Sequence, residues 1–417
     1  MLFNRHQCLW GLRFLVGLTL FSFLAVAPPT TEEPEWGFFA HRRINRLAVF
    51  TLDPDMMPFF RSNLEYLTDH AVDPDKRRYA TRHEAVRHYI DIDHWGVYPF
   101  DQVPRDWAEA LLWQAEIQQI EQTDTVSWTV SSIEAYPSDK VWLRADQRDS
   151  FYVDLSDYRS FWYREIIPQY YEDDWIINCT SLTDLGWPNM DCEEVRVLDH
   201  FSEYGVLPFY LLQHQRRLTQ AFQDRRPGRI LQLAAEMGHY IGDATVPLHT
   251  TENYNGQLTN QLGIHGFWES RIPELIADES FDYLVGKADY IENPQDFYWD
   301  IVLSSHVLVD SVLSTERRLS QEFPQDQQFC FEDRLERTVR TQCAEYALAW
   351  NEAMKGMVEE RFRTAIHAIG SVWYTAWVDA GQPDLKGMGL QEELLVADEN
   401  LERAVQSGEI KGRAHDQ

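Results

Sequence analysis

The chain has 417 residues, 44% of them hydrophobic and 13% aromatic, enough to bury one large core or two ordinary ones. Lys and Arg number 37 against 67 Asp and Glu, a net charge of −30. That balance argues against tight charge-driven binding to duplex nucleic acid or to anionic membranes, and leaves room for a site whose bound metals supply positive charge locally.

In chain order, residues 1–7 carry Arg5, residues 9–27 are largely apolar, and Ala25-Val26-Ala27 fits a small-x-small cleavage pattern. Residues 1–27 therefore read as a signal peptide, with an uncleaved anchor as the alternative. Residues 28–35 are a Pro/Thr/Glu spacer, and no later apolar run is long enough to span a membrane. The expected localisation is secreted or periplasmic. Residues 41–50 read as a helix, and so do residues 107–122, with Asp106 as a possible cap. Residues 123–195 mix Trp, Tyr, Asp and Ser, and 97–200 as a whole reads as an irregular, aromatic-rich insertion. Helical pattern returns at 203–223 and 228–243. A loop rich in Thr, Asn, Gln and Gly fills 250–263. Long helical stretches follow at 294–320 and 336–379, stopping near Gly381 and Pro383, and 385–417 is a charged tail. The class is mainly α, with residues 36–384 as one large helical domain.

Outside the presumed signal the cysteines are Cys179, Cys192, Cys330 and Cys343. Four cysteines allow three pairings, of which the two local ones, Cys179–Cys192 and Cys330–Cys343, close the shortest loops and are the simplest. None lies near the acid and imidazole motifs, so they read as staples, which agrees with export.

Two runs carry most of the chemistry: His239-Tyr240-Ile241-Gly242-Asp243, continuing to Pro247-Leu248-His249, and His265-Gly266-Phe267-Trp268-Glu269. The pairs His239/Asp243 and His265/Glu269 are each spaced i, i+4, which on a helix puts both side chains on one face. One such pair by itself is usually a surface pair. His41, Asp73 and His88 bring the set to eight side chains of zinc-ligand type: His41, Asp73, His88, His239, Asp243, His249, His265 and Glu269. Asp75 rivals Asp73 for its place, and Asp73 could also start a turn with Pro74. Asp91 and Asp93 are candidates for orienting imidazoles from behind. Lys76 lies in a basic cluster with Arg77 and Arg78 that reads equally well as a solvated face, and His70, His83, His94 and His200 read as structural. The clusters Phe161-Trp162-Tyr163 and Tyr170-Tyr171 read as core sooner than as base-stacking platforms.

The ordered set resembles the superfamily that joins bacterial zinc-dependent phospholipase C to the three-zinc single-strand nucleases of fungi and plants. The runs 239–249 and 265–269 resemble its central and last metal motifs, His88-Tyr89-Ile90-Asp91 its second, and Trp373-Tyr374-Thr375-Ala376-Trp377 its closing helix. Asp73 lies fifteen residues before His88, and Trp36-Gly37 precedes His41, as in the nucleases. The resemblance implies two or three Zn2+ ions. His88, His239, Asp243 and Asp73 would hold the first. His249, His265 and Glu269 would hold the second. Trp36, His41, Asp73 and Asp243 would hold the third. It also implies a catalytic role for Asp73 and, as a phosphate clamp, for Lys76, whose offset resembles the nuclease branch. The family's third zinc uses the free amine of an N-terminal tryptophan, whereas Glu33-Pro34-Glu35 precedes Trp36 in this sequence.

The function so implied is a zinc-dependent hydrolase of phosphate esters, leaning to the single-strand nuclease/3′-nucleotidase type. Its partner would be a phosphodiester substrate, with no stable protein partner. The alternatives are a phospholipase C acting on phospholipids and an exported zinc-containing binding protein without catalysis.

Overall fold

In the helix Pro227–Thr245 every residue from Leu233 to Thr245 is buried. A helix buried on all sides lies at the centre of a core, and this one carries Glu236, His239 and Asp243 into it. Pro227 starts it, where a missing N–H costs nothing. The helices Phe38–Ala48, Leu207–Gln223, Pro294–His306 and Met357–Asp379 pack around it. The computed structural model describes residues 38–388, apart from 79–81, 123, 132–138, 146–149, 170–174, 188–191 and 335–336. The expected signal and spacer, Trp36, Tyr170 and Tyr171, and the tail beyond 388 lie outside the described residues.

Close approach of the first helix to the central one depends on two glycines a turn apart. A Cβ on Gly238 would fall 1.6 Å from Asn45 Oδ1, and one on Gly242 would fall 2.8 Å from His41 Nδ1. Asn45 then donates to Ala235 O at 2.9 Å and to Leu67 O at 3.2 Å, which locks the pair together. The closing helix brings Trp373 against Phe60, and its indole N–H donates to Ala234 O.

The expectation of a mainly helical chain holds only loosely, because a six-stranded antiparallel sheet accompanies the bundle. Its strands are β1 (Glu116–Ile120), β2 (Thr125–Val130), β3 (Lys140–Arg144), β4 (Phe151–Asp154), β5 (Trp175–Ile177) and β6 (Glu194–Leu198), in the order β4-β3-β2-β1-β6-β5. Ile117, Val126, Trp128, Val141, Leu143, Val153, Val195 and Val197 alternate inward, and Phe161 and Trp162 are buried with them in the core. The segment that looked irregular thus contains period-two strands of three to six residues, interleaved with short helices.

Three expected helices are corrected. Asp106 does cap a helix, accepting from Glu109 N, but that helix ends at Gln114 and the chain continues as β1. Glu116 to Ile120 contains good helix formers, yet pairing with β2 on one side and β6 on the other overrides propensity. The stretch 294–320 breaks into Pro294–His306 and Val309–Glu322. The stretch 336–379 comprises β8 (Arg337–Gln342), paired with β7 (Phe329–Arg334), and the helices Ala344–Ala353 and Met357–Asp379. Lys355 and Gly356, with φ of 56° and 80°, turn the chain between those helices. Both local disulfides form, Cys179–Cys192 and Cys330–Cys343. No helix among the described residues is long and apolar enough to cross a membrane.

Candidate metal centre

The central helix carries His239 and Asp243 one turn apart, and the turn after it carries His249. His41 comes from the first helix, stacked on His239 with ring centroids 4.0 Å apart. His88 ends a short turn, Asp75 lies on the helix Asp73–Arg78, and His265 and Glu269 lie on the stretch that begins at Ile264. The five imidazoles, Asp243 and Glu269 are all buried.

Four three-residue groups result: His88/His239/Asp243, His249/His265/Glu269, His41/Asp75/His239 and His41/Asp243/Glu269. In the first, His88 Nδ1 is 2.9 Å and His239 Nε2 3.3 Å from Asp243 Oδ2, and the two nitrogens are 3.1 Å apart. Asp75 Oδ1 stands 3.8 Å from His88 Nδ1 and 3.7 Å from His239 Nε2. A tetrahedral zinc with bonds of about 2.0–2.1 Å separates its ligand atoms by about 3.3 Å, so these spacings bracket that value. Glu269 Oε2 is 2.8 Å from His265 Nε2 and 3.5 Å from His249 Nε2, while Oε1 is 3.4 Å from His41 Nε2. Asp243 Oδ1 is 3.4 Å from His41 Nε2 and 3.7 Å from His249 Nε2. Each of these two carboxylates therefore turns its two oxygens to different groups, as a bridging carboxylate does.

The donor chemistry fits a metal. His239 Nδ1 faces Ala71 O at 2.9 Å, His265 Nδ1 faces Tyr254 O at 3.1 Å, and His249 Nδ1 faces His88 O. A carbonyl only accepts, so each Nδ1 carries the hydrogen and each Nε2 lone pair is turned toward carboxylate oxygens. Acceptors facing each other at such distances need a cation between them, either a proton or a metal. In the metal-free chain the proton serves. Burial alone would push the His239 imidazolium down, but Asp243 and Asp75 outweigh it and raise it to about 9. Burial likewise works against the Asp243 and Glu269 carboxylates. His239 and His249 beside Asp243, and His249, His265 and His41 beside Glu269, hold both well below the usual range.

The structure brings Asp75, not Asp73, to the imidazoles. Asp73 stays with its neighbours in the chain: its oxygens take the His70 ring of the preceding turn at 2.6 Å and the Lys76 ammonium of its own helix at 2.9 Å. Lys76 is thus ion-paired to Asp73. Asp93 accepts from Thr251 Oγ1 and Glu252 N, and so fixes the loop after His249, while backbone carbonyls face the rings of His239, His249 and His265. Of the histidines read as structural, His94 pairs with Glu252 and His200 with Glu116.

The basic cluster is divided: Lys76 is exposed, whereas Arg77 and Arg78 are partly buried in ion pairs. Arg78 reaches Asp75 Oδ1 at 3.3 Å. Arg77 lies 2.6 Å from Glu236 and 3.5 Å from Glu84, Arg87 lies 2.7 Å from Glu84, and Tyr240 donates to Glu84. Burial opposes the Glu236 carboxylate, but Arg77 overcomes this and lowers it to about 2. The sequence signal for Arg78 was its i, i+3 spacing from Asp75. The Arg77–Glu236 pair, 159 residues apart, left none.

No protein-family model matches this chain, and no curated protein matches it.

Proposed function

We propose that this chain is an exported, zinc-dependent hydrolase of phosphate esters, of the single-strand nuclease/3′-nucleotidase type. The observation that carries the reading is the sharing of Asp243 and Glu269 among adjacent buried groups of imidazoles, since bridged clusters of this donor set are suited to binding neighbouring divalent ions. His88, His239, Asp243 and Asp75 would hold one ion, His249, His265 and Glu269 a second, and His41 with Asp243 and Glu269 a third. That third set needs no contribution from Trp36. Bound zinc supplies Lewis-acid charge beside a phosphate and makes water acidic enough to deliver hydroxide near pH 7.

The chain's own residues do the rest. Backbone carbonyls at 71, 88 and 254 hold three imidazoles in one tautomer. Arg78 holds Asp75, and burial keeps bulk water from competing for the donors. Two or three divalent ions against three carboxylates leave the pocket positive inside a chain of charge −30, which suits an anionic substrate. Two disulfides support export.

The test is a side-by-side assay on single-stranded DNA, RNA, 3′-nucleotides and phosphatidylcholine. Chelator-sensitive release of nucleotide or phosphate from the first three is expected. Diacylglycerol with no nucleotide product would move the activity to the phospholipase C type. One zinc per chain with no hydrolysis of any substrate would leave only a binding protein.

A further inference from the structure

Glu269 lies in a π-helical turn, Phe267–Arg271, that interrupts the helical stretch from Ile264 to Ser280. Such turns re-aim side chains and recur at functional sites. Arg271, two residues beyond Glu269, is 2% exposed and points away to the β7–β8 hairpin. Its Nη1 donates to Glu332 Oε2 at 3.1 Å, its Nη2 to Glu332 Oε1, and its Nε to Gln342 O at 2.9 Å. All three contacts are made to one hairpin, and Cys330–Cys343 ties its strands together beside Gln342. Gln328, just before β7, donates to Ser320 O and Phe323 O, anchoring the base of the hairpin.

We infer that the disulfide-closed hairpin is the positioning element of Glu269, acting through Arg271. The physical reason is rigidity. A planar guanidinium forked onto a carboxylate and a carbonyl fixes the rotation of the turn that bears it. Glu269 needs that rotation fixed, because its Oε2 must meet His265 and His249 while Oε1 meets His41. The inference rests on the metal-centre reading above and adds to it a device outside the centre.

The experiment compares zinc content and zinc affinity, titrated with zinc alone against a chelating indicator, across five proteins. These are the unaltered chain, Glu332→Gln, Glu332→Asp, the double variant Cys330→Ser/Cys343→Ser, and Cys179→Ser/Cys192→Ser. The last removes the disulfide near the sheet and serves as the control for general loss of stability. Glu332→Gln and the Cys330/Cys343 variant should each weaken zinc about tenfold or more at the sites Glu269 serves, those of His249/His265 and of His41, while the His88/His239 site binds as before, an effect of the size expected for residues behind a ligand. Glu332→Asp and the Cys179/Cys192 variant should keep the full complement. If the Cys330/Cys343 variant fails to fold, the Glu332 pair decides. Unchanged zinc binding by Glu332→Gln, or equal loss in the control, overturns the inference. An unaltered chain that binds no zinc overturns the metal-centre reading itself, which is a separate result.

Discussion

Asp75 and Asp73 are two residues apart on one short helix and face different neighbours. Asp75 meets His88, His239 and Arg78, whereas Asp73 meets His70 and Lys76. Asp75→Asn should therefore lower metal affinity about a hundredfold and activity with it, the upper end of what changes around a metal cost. Asp73→Asn should leave the metal content intact. Metal analysis of the two purified proteins checks this, and loss of metal in the Asp73 variant alone would reverse the assignment. His214 shows the contrast between a solitary buried histidine and those of the cluster. It sits between Tyr210 OH and Leu233 O, and burial pushes it down to about 4, so it stays neutral without a metal.

At the scale of elements, the separation of the first and central helices is set by Gly238 and Gly242. Alanine normally favours a helix over glycine by about 1 kcal/mol, so the sign of Gly242→Ala depends on the clash. Its Cβ would meet His41 Nδ1 and Ile44 Cδ1, each at 2.8 Å, and both sit on a helix packed from several sides. Overpacking of this kind costs about 1–3 kcal/mol. Gly242→Ala should melt several degrees lower and bind less metal at the His41 group, as read by thermal denaturation and metal analysis. A variant as stable and as fully loaded as the parent would show that the helices have slack. The six-stranded sheet is held differently. Its strands hold by pairing with one another, and Cys179–Cys192 closes the loop between β5 and β6.

For the whole molecule, a metal held at the centre would compete with protons for the same buried nitrogens. A metal bound only by the folded chain stabilises it by about 2.7 kcal/mol per site at a hundredfold excess over Kd. Chelation should therefore lower the melting temperature. The sign of the pH dependence follows from His239, which burial disfavours as a cation but Asp243 and Asp75 raise to about 9. In the metal-free chain that ion pair contributes fully below the unfolded value of about 6.5 and is lost as pH rises through 9. Metal requires the neutral ring, so the gap in melting temperature between loaded and chelated protein should widen from pH 6 to pH 9. A gap that narrows over that range would mean that the added stability comes from elsewhere than these imidazoles.

The sequence by itself determined the ligand types and their local pairing. His239 with Asp243, and His265 with Glu269, are close because a helical turn makes residues four apart neighbours, and that rule needs no tertiary structure. It determined Asp106 as a helix cap for the same local reason. Only the tertiary structure decided between Asp73 and Asp75, because the choice depends on how one short helix is rotated, and Arg77 on Glu236 and Arg78 on Asp75 fix that rotation. Only it turned residues 116–120 into a strand, since a strand is stabilised by partners distant in the chain, here β6 some eighty residues on. Contacts within one turn are written in the order of residues; contacts between elements exist only once the elements are packed.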